Sequence, residues 1–201
     1  MQRLLLFTRY PEPGKTKTRL IPALGAEGAT QVHRQMAAKI VATAGQLAQF
    51  HSVIVEVCYT GGNLEAMEVW LGKDLTYVQQ GFGSLGDRLT LAFKNAFDQG
   101  DSGVIAVGTD CPDLTTEILL EAFRLLKQRE VVIGPAEDGG YYLIGLQRFV
   151  PEVFQGIFWG TEQVFWQTAA ICQQLNLNVA LLPKLSDVDR PEDLAIWEKY
   201  C

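Results

Sequence analysis

The sequence has few cysteines and few histidines, and neither residue type forms a recognisable motif. The four cysteines are Cys58, Cys111, Cys172 and Cys201. They are widely spaced and form no C-x-x-C pair, which argues against a disulfide framework or a structural zinc site and favours a reducing compartment. His33 and His51 have no motif neighbours, and we expect both at the surface.

The sequence also lacks an excess of positive charge, long apolar runs and internal boundaries. A formal net charge of -6 over 201 residues argues against a protein that binds nucleic acid non-specifically. The apolar run 4–7 is too short for a signal peptide, and no run is long enough to span a bilayer. Because no repeat or Pro-, Gly- or Ser-rich linker divides the chain, we predict a single cytoplasmic domain over residues 1–201.

Short β-rich apolar runs alternate with longer stretches of helical period, which is typical of a mostly parallel sheet with helices on both faces. The predicted strands cover residues 4–8, 53–58, 75–79, 104–107, 131–135, 141–145 and 179–182. The predicted helices cover residues 27–50, 64–71, 86–98, 116–129, 161–175 and 191–200. The expected fold is α/β, a three-layer α/β/α sandwich whose ligand binds beyond the carboxyl ends of the strands.

Four cations surround a Pro-Gly turn directly after the first predicted strand. They are Arg9, Lys15, Lys17 and Arg19, and Gly14 lies in the turn itself. Ammonium and guanidinium groups bind phosphates, so these five residues are candidates for the phosphates of a donor. The Gly-Lys-Thr piece is not a P-loop, because Arg9 occupies the position where that motif needs its first glycine. The alternative is a basic loop that faces only water.

Two carboxylates follow the apolar run 104–107. Asp110 and Asp113 are hard oxygen ligands at the expected ligand edge of the sheet, suited to Mg²⁺ or Mn²⁺ that would also bridge donor phosphates. Asp187 and Asp189 precede the last predicted helix, and either suits a further ligand or a helix N-cap. The metal set that we predict is Asp110, Asp113 and Asp189, with helix capping as the alternative for Asp113.

The segment 134–142 carries two acids before a double glycine. Asp-Gly-Gly favours a tight hairpin, because glycine tolerates positive φ. The same glycines would let a ligand approach closely, while Asp138 or Glu137 positions an acceptor hydroxyl or accepts its proton. We predict Asp138 as a catalytic residue, with Lys15 and Arg19 sharing the charge of the leaving group.

A glycine-rich stretch, 80–89, leads into the third predicted helix. Backbone amides at the start of a helix attract anions, so Gly86 and Arg88 are further candidates for binding the donor nucleotide. The alternative is a loop that is simply flexible.

Four motifs, taken in order, resemble those of the DUF2064 family. They are P-x-P-G-K-T-K-T-R-L, G-T-D-C-P-D-L, G-P-A-E-D-G-G-Y-Y-L-I-G-L and D-V-D-R-P-E-D-L. That family belongs to the GT-A (nucleotide-diphospho-sugar transferase) superfamily, and some members are described as arsenosugar-biosynthesis glycosyltransferases. The resemblance implies a Rossmann-related GT-A-like fold, a nucleotide across the first strands, and Asp110 in the place of the metal-binding aspartate. The sequence has Asp-x-x-Asp where common glycosyltransferases have Asp-x-Asp.

These features together predict a metal-dependent transferase. The leading hypothesis is glycosyl transfer from a nucleotide sugar to a small-molecule acceptor that the sequence does not identify. The alternative resembles guanylyl- and cytidylyltransferases, with a nucleoside triphosphate as donor and pyrophosphate as product. A third hypothesis is a nucleotide-binding regulator without catalysis. The sequence does not give the oligomeric state and leaves formation of a homodimer possible.

Overall fold

The chain folds around one mixed sheet. A computed structural model describes residues 1–200, and Cys201, one of the cysteines considered above, lies outside the described residues. The strands are β1 (Gln2–Arg9), β2 (Val53–Thr60), β3 (Thr76–Gln79), β4 (Gly103–Gly108), β5 (Val131–Pro135), β6 (Tyr141–Leu146) and β7 (Val179–Leu181). Their order across the sheet is β3-β2-β1-β4-β6-β5-β7, and β6 runs antiparallel to β4 and β5 while the other pairs are parallel.

Each predicted helix has a counterpart. The α-helices are α1 (Ile21–Phe50), α2 (Leu64–Leu71), α3 (Leu85–Asp98), α4 (Thr116–Leu126), α5 (Val164–Gln174) and α6 (Leu194–Trp197). The largest difference is at α1, which begins at Ile21 instead of residue 27. A non-helical Gly25 with a φ of 69° separates the early turn from the predicted part.

The sheet lies between two helical layers, which confirms the predicted three-layer α/β class. Leu4 and Leu6 of β1 pack into one buried cluster with Ile40 of α1, whereas Leu5 packs into the opposite cluster with Phe93 of α3. Because β1 is buried on both faces, its apolar residues are continuous instead of alternating.

The carboxyl ends of the parallel strands meet at one edge of the sheet, together with the turn 136–140 between β5 and β6. That turn is the hairpin that Asp-Gly-Gly predicts: the Ala136 amide donates to the Gly140 carbonyl at 3.0 Å, and Gly139 has a φ of 87°. The loops that carry the candidate site residues therefore converge at this edge.

Within the described residues, the cysteines and the helices can be compared with the expectations of no disulfide framework and no membrane span. Cys58, Cys111 and Cys172 are buried free thiols. None of the helices within residues 1–200 combines the length and the hydropathy that a bilayer crossing requires.

Candidate active site

The loop after β1 is held by its own hydrogen bonds. The hydroxyl of buried Thr16 accepts a hydrogen bond from the amide of Glu12 at 3.1 Å and donates one to the carbonyl of Tyr10 at 3.5 Å. Gly14 has a φ of 79°, which glycine adopts without strain. The ammonium of Lys15 lies 2.6 Å from the carboxylate of Glu12, and its side chain stays mostly exposed. The loop is therefore preformed, with Lys15 at its surface.

Lys17 points inward from the same loop. Its backbone is left-handed with a φ of 50°, its side chain is only 5% exposed, and its ammonium lies 2.9 Å from Oδ1 of Asp110 and 3.5 Å from Oδ1 of Asp189. Burial opposes the charge, but the two carboxylates raise the pKa of Lys17 above its ordinary value. Arg19 pairs with the other carboxylate oxygen of Asp189. We call Lys17, Arg19, Asp110 and Asp189 the charge cluster; it pairs two predicted phosphate-binding cations with two predicted metal ligands.

Asp110 lies where the charge cluster meets open space. Its Oδ1 is buried, yet 47% of the side chain is exposed, so the exposure falls on the other side-chain atoms. Burial opposes ionisation of this carboxyl, but Lys17 and then His33 hold its pKa below the ordinary value. Asp110 is therefore a carboxylate at neutral pH, with part of its surface free to meet a ligand.

His33 packs behind Asp110 and is 4% exposed, so the prediction of a surface position is wrong for it, whereas His51 is exposed as predicted. Nε2 of His33 lies 2.8 Å from the carbonyl oxygen of Arg9 and carries the proton, because a carbonyl only accepts. Nδ1 lies 3.9 Å from Oδ1 of Asp110 and has no hydrogen-bond partner within residues 1–200. Burial lowers the pKa of His33, although the nearby Asp110 opposes this shift. The imidazole is therefore neutral at pH 7.

One side of Asp110 opens into a cavity of about 400 Å³ that we call the basic cavity. Its walls come from β1 and β4, the loops that follow them, and the start of α3. Four cations line it, Arg9, Lys15, Lys17 and Arg88, and they outnumber its two carboxylates, Asp110 and Asp189. The fold therefore brings together four of the residues that the sequence predicts for donor binding.

The other side of Asp110 opens into a cavity of about 280 Å³ that we call the acidic cavity. Its carboxylates are Asp110, Asp138 and Asp187, and its aromatic walls are Tyr141, Tyr142 and Trp159. None of the described residues in its lining is lysine or arginine. Since Leu85, Gly108 and Asp110 line both cavities, the two spaces meet at Asp110.

Three other predicted donor residues lie outside the walls of the basic cavity, as far as the described chain shows. Gly86 is a packing position, because a Cβ there would lie 2.6 Å from the carbonyl oxygen of Phe154. Gly14 shapes the turn after β1. Arg19 lines an outer groove of about 560 Å³ that continues from the acidic cavity past Asp138 and Asp187.

The hairpin between β5 and β6 places Asp138. Oδ1 of Asp138 accepts a hydrogen bond from the amide of Gly140 at 2.8 Å, and the carbonyl of Gly139 accepts one from the amide of Phe165 at 2.9 Å. A Cβ at Gly139 would lie 2.5 Å from the Cα of Glu162, so the turn approaches the start of α5 more closely than a side chain would allow. The catalytic role of Asp138 stays a prediction, and this packing fixes where its carboxylate lies.

Of the three predicted metal ligands, Asp110 and Asp189 both line the basic cavity, whereas Asp113 lies apart from them. Asp113 accepts a hydrogen bond from the hydroxyl of Tyr200, and it is missing from the described residues that line either cavity. Asp189 is paired with Arg19 and Lys17. In the part of the chain that the structure describes, no three His, Cys, Asp or Glu side chains are arranged to hold a metal ion. The carboxylate that shares the acidic cavity with Asp110 on the 186–190 segment is Asp187.

Asp187 is expected to destabilise the fold by its charge. Burial, and next the carboxylate of Asp138, raise the pKa of Asp187 from 3.8 to about 6. Since the folded-state value is the higher one, ionisation costs stability once the pH rises above about 4, and the cost is complete above about 6. The full change would correspond to roughly 3 kcal/mol, which solvent screening at this partly exposed group reduces to about 1 kcal/mol.

Asp187→Asn should therefore raise the melting temperature at pH 7 by about 2–4 °C, since that is the effect of about 1 kcal/mol in a chain of this size. The gain should disappear near pH 4, where the wild-type carboxyl is protonated. Asp189→Asn is the matched variant, and it should lose stability because Asp189 pairs with Lys17 and Arg19. Thermal unfolding of both variants from pH 4 to pH 8 checks the two signs, and equal shifts would contradict the assignment.

Comparison with known proteins supports this picture of the fold. Residues 42–161 match a family model described as an uncharacterized protein conserved in bacteria (DUF2064). A crystal structure from Desulfovibrio desulfuricans G20, provisionally described as a nucleotide-diphospho-sugar transferase, shares 36% sequence identity. That alignment covers 99% of this chain and 87% of the other, with a TM-score of 0.92. Among curated proteins, no relative matches the sequence.

Two more distant structures share the fold alone. A 4-diphosphocytidyl-2C-methyl-D-erythritol synthase from Anaerococcus prevotii DSM 20548 is 10% identical, with a TM-score of 0.63 over 99% of this chain and 96% of that chain. Rv0371c from Mycobacterium tuberculosis H37Rv, determined in complex with manganese, is 17% identical, with a TM-score of 0.54 over 100% of both chains. The architecture built above is therefore shared with a protein named as a diphosphocytidyl-methylerythritol synthase and with one determined in complex with manganese.

Proposed function

The chain belongs to the bacterial DUF2064 family, and from that premise we propose that it is a glycosyltransferase-like enzyme with a nucleotide-sugar donor. One observation carries the proposal: a cavity lined by cations and a cavity lined by carboxylates meet at Asp110. A donor whose phosphates lie among the cations would present its sugar at this junction. A transferase is also what the Desulfovibrio desulfuricans protein is provisionally described as.

The basic cavity suits the diphosphate of such a donor. Arg9 and Arg88 can bind phosphate oxygens in pairs, and the exposed ammonium of Lys15 would exchange Glu12 for a phosphate oxygen. Negative charge grows on the departing nucleoside diphosphate in the transition state, and these cations would stabilise it. Lys17 and Arg19 are already paired with Asp110 and Asp189 within the charge cluster, so a phosphate would share these cations with the two carboxylates.

The acidic cavity suits an uncharged acceptor that carries hydroxyl groups. Carboxylates accept hydrogen bonds from hydroxyls, and Asp138 would orient the attacking hydroxyl and take its proton. An acceptor phosphate would instead meet three carboxylates and no cation of the described lining. A pair of like unit charges about 4 Å apart repels by about 4 kcal/mol at an effective dielectric constant of about 20. Without a bound cation, the lining therefore disfavours a phosphate group as the acceptor.

A divalent cation, Mg²⁺ or Mn²⁺, fits the proposal at Asp110. Magnesium in nucleotide enzymes is commonly held by one or two carboxylates together with substrate phosphates and water, so a site of three protein ligands is not required. Asp110 and Asp187 are the oxygen donors that would hold it. Burial, and next the carboxylate of Asp138, raise the pKa of Asp187, and a bound cation would offset the repulsion between these two carboxylates. The ion would neutralise charge on the diphosphate. The manganese complex of Rv0371c agrees with this choice.

Nucleotidyl transfer is the second candidate. The fold is shared with a diphosphocytidyl-methylerythritol synthase, and the basic cavity would also take a triphosphate. In that case the products would be pyrophosphate and a nucleotide-linked acceptor. The carboxylate lining of the acidic cavity disfavours this reaction wherever the acceptor is a phosphate.

A screen of nucleotide sugars and nucleoside triphosphates, each with Mn²⁺ and with a chelator, distinguishes the two. A ligand present at 100 times its Kd stabilises the fold by about 2.7 kcal/mol, or roughly 5–10 °C in melting temperature. We expect a shift of this size for one nucleotide sugar, lost with chelator, followed by release of a nucleoside diphosphate on turnover. A shift confined to one triphosphate, with pyrophosphate as product, would replace the proposal with nucleotidyl transfer.

We infer further that residues 1–201 act as one domain in the cytoplasm. A single sheet supports the loops that carry the candidate residues, and the buried free thiols suit a reducing compartment.

A further inference from the structure

Gln80 directly follows β3 and ties three strand ends together. Its side chain is buried at 6% exposure, and Nε2 donates hydrogen bonds to the carbonyl oxygens of Thr8 at 3.1 Å and Cys58 at 2.8 Å. Its backbone amide donates to the carbonyl of Tyr59 at 3.0 Å. Because both side-chain contacts are to carbonyls, which only accept, the orientation of the Gln80 amide is fixed.

That orientation turns Oε1 of Gln80 toward α3, where it accepts a hydrogen bond from Nη1 of Arg88 at 3.2 Å. Nε of Arg88 donates to the carbonyl of Ser84, also at 3.2 Å. The guanidinium is thus held at two points, and Gln80 and Arg88 both line the basic cavity. Arginine has five N–H donors, so the remaining ones are available to a ligand in that cavity.

We propose that Gln80 is a positioning residue that holds the guanidinium of Arg88 ready for an anionic ligand. The inference rests on the proposed function in one respect, namely that the basic cavity takes a phosphate-bearing ligand. An arginine that is ordered before binding loses less conformational freedom when the ligand arrives. Immobilising one such side chain on binding weakens affinity by roughly two- to tenfold, and this is the loss expected without Gln80.

A double-mutant cycle with inorganic pyrophosphate as the probe tests the proposal by calorimetry. Gln80→Met, which keeps the size of the side chain but removes its hydrogen bonds, should raise the Kd by roughly two- to tenfold. Arg88→Met should raise it further, and adding Gln80→Met to Arg88→Met should change nothing more. The same factor for Gln80→Met in both backgrounds would show a merely structural role and overturn the proposal. Gln79→Met, at the exposed neighbouring position, is the control and should leave the Kd unchanged.

A second measurement does not depend on any ligand. The side-chain Nε–H signal of Arg88 in the wild-type NMR spectrum, identified by its loss in Arg88→Met, should report an ordered group, and the signal of exposed Arg129 a mobile one. In Gln80→Met the Arg88 signal should become as mobile as that of Arg129. Equal mobility of both arginines in the wild type would overturn the positioning role, even where Gln80→Met does not fold. Failure of the wild type to bind pyrophosphate, with Arg88 ordered, would instead count against the phosphate site of the proposed function.

Discussion

Replacing Asp110 by asparagine is expected to lower kcat for donor turnover by about 100- to 1,000-fold, the cost of removing one electrostatic group from a reacting centre. Asp110 lines both cavities, so its charge lies at the junction where donor and acceptor would meet. The asparagine keeps an oxygen for the ammonium of Lys17, which also has Asp189 at 3.5 Å. We therefore expect the fold to survive with a loss of about 1–3 kcal/mol.

Asp113→Asn is the matched control for this experiment. Asp113 belongs to the same loop, but its carboxylate accepts a hydrogen bond from Tyr200 and faces neither cavity within the described chain. Initial rates with the donor from the screen, at saturating Mg²⁺ or Mn²⁺, should change less than about twofold, as for a surface substitution remote from the site. Equal losses in the two variants would refute the assignment of the junction to Asp110.

The inner strands β1, β4, β5 and β6 could be predicted closely because they are buried on both faces of the sheet. Burial of both faces produces continuous apolar runs, and the observed strands end within two residues of the predicted ones. The start of α1 could not be placed in the same way, since its first turn is short and is followed by the non-helical Gly25. The Asp-Gly-Gly turn favours a hairpin, and in a hairpin β6 runs antiparallel to β5.

The candidate site was predictable where strand ends determine it. Arg9 and Lys15 share one segment, and Arg88 and Asp110 come from two others far from it in sequence, yet the edge of the sheet brings all three segments together. Where a predicted site residue lies outside the cavities, as Gly86 does, tertiary packing is the reason. Gly86 lies against Phe154 in a contact that no local pattern encodes.

The burial of two polar residues, His33 and Gln80, was not predicted. His33 carried a signal that could have been used, since Ala29, Met36 and Ala37 lie on the same helical face and are buried. Gln80 carried none, because its partners are backbone carbonyls of other strands. Lone polar residues on buried faces thus need the fold before their role can be argued.

Replacing Gly139 by alanine is expected to remove most activity and about 2–4 kcal/mol of stability. Two effects combine: a φ of 87°, which is strained for alanine, and a Cβ that would lie 2.5 Å from the Cα of Glu162 and closer still to its carbonyl oxygen. Backbone cannot move aside as a side chain end can, so the hairpin must separate from the start of α5. Asp138 and the wall of the acidic cavity would shift with it.

Gly160→Ala separates the backbone strain of a positive φ from the collision of the new Cβ with Glu162 expected in Gly139→Ala. Gly160 also lines the acidic cavity and has a φ of 80°, but no atom of the described chain lies within 4 Å of a Cβ built there. Its cost should be the conformational term alone, about 1 kcal/mol, with activity largely kept. Urea unfolding and donor turnover of both variants make the comparison. Similar losses of stability and activity in the two variants would mean that the positive φ alone explains the effect of Gly139→Ala. A much larger loss in Gly139→Ala would show that the close approach of the hairpin to α5 holds Asp138 in place.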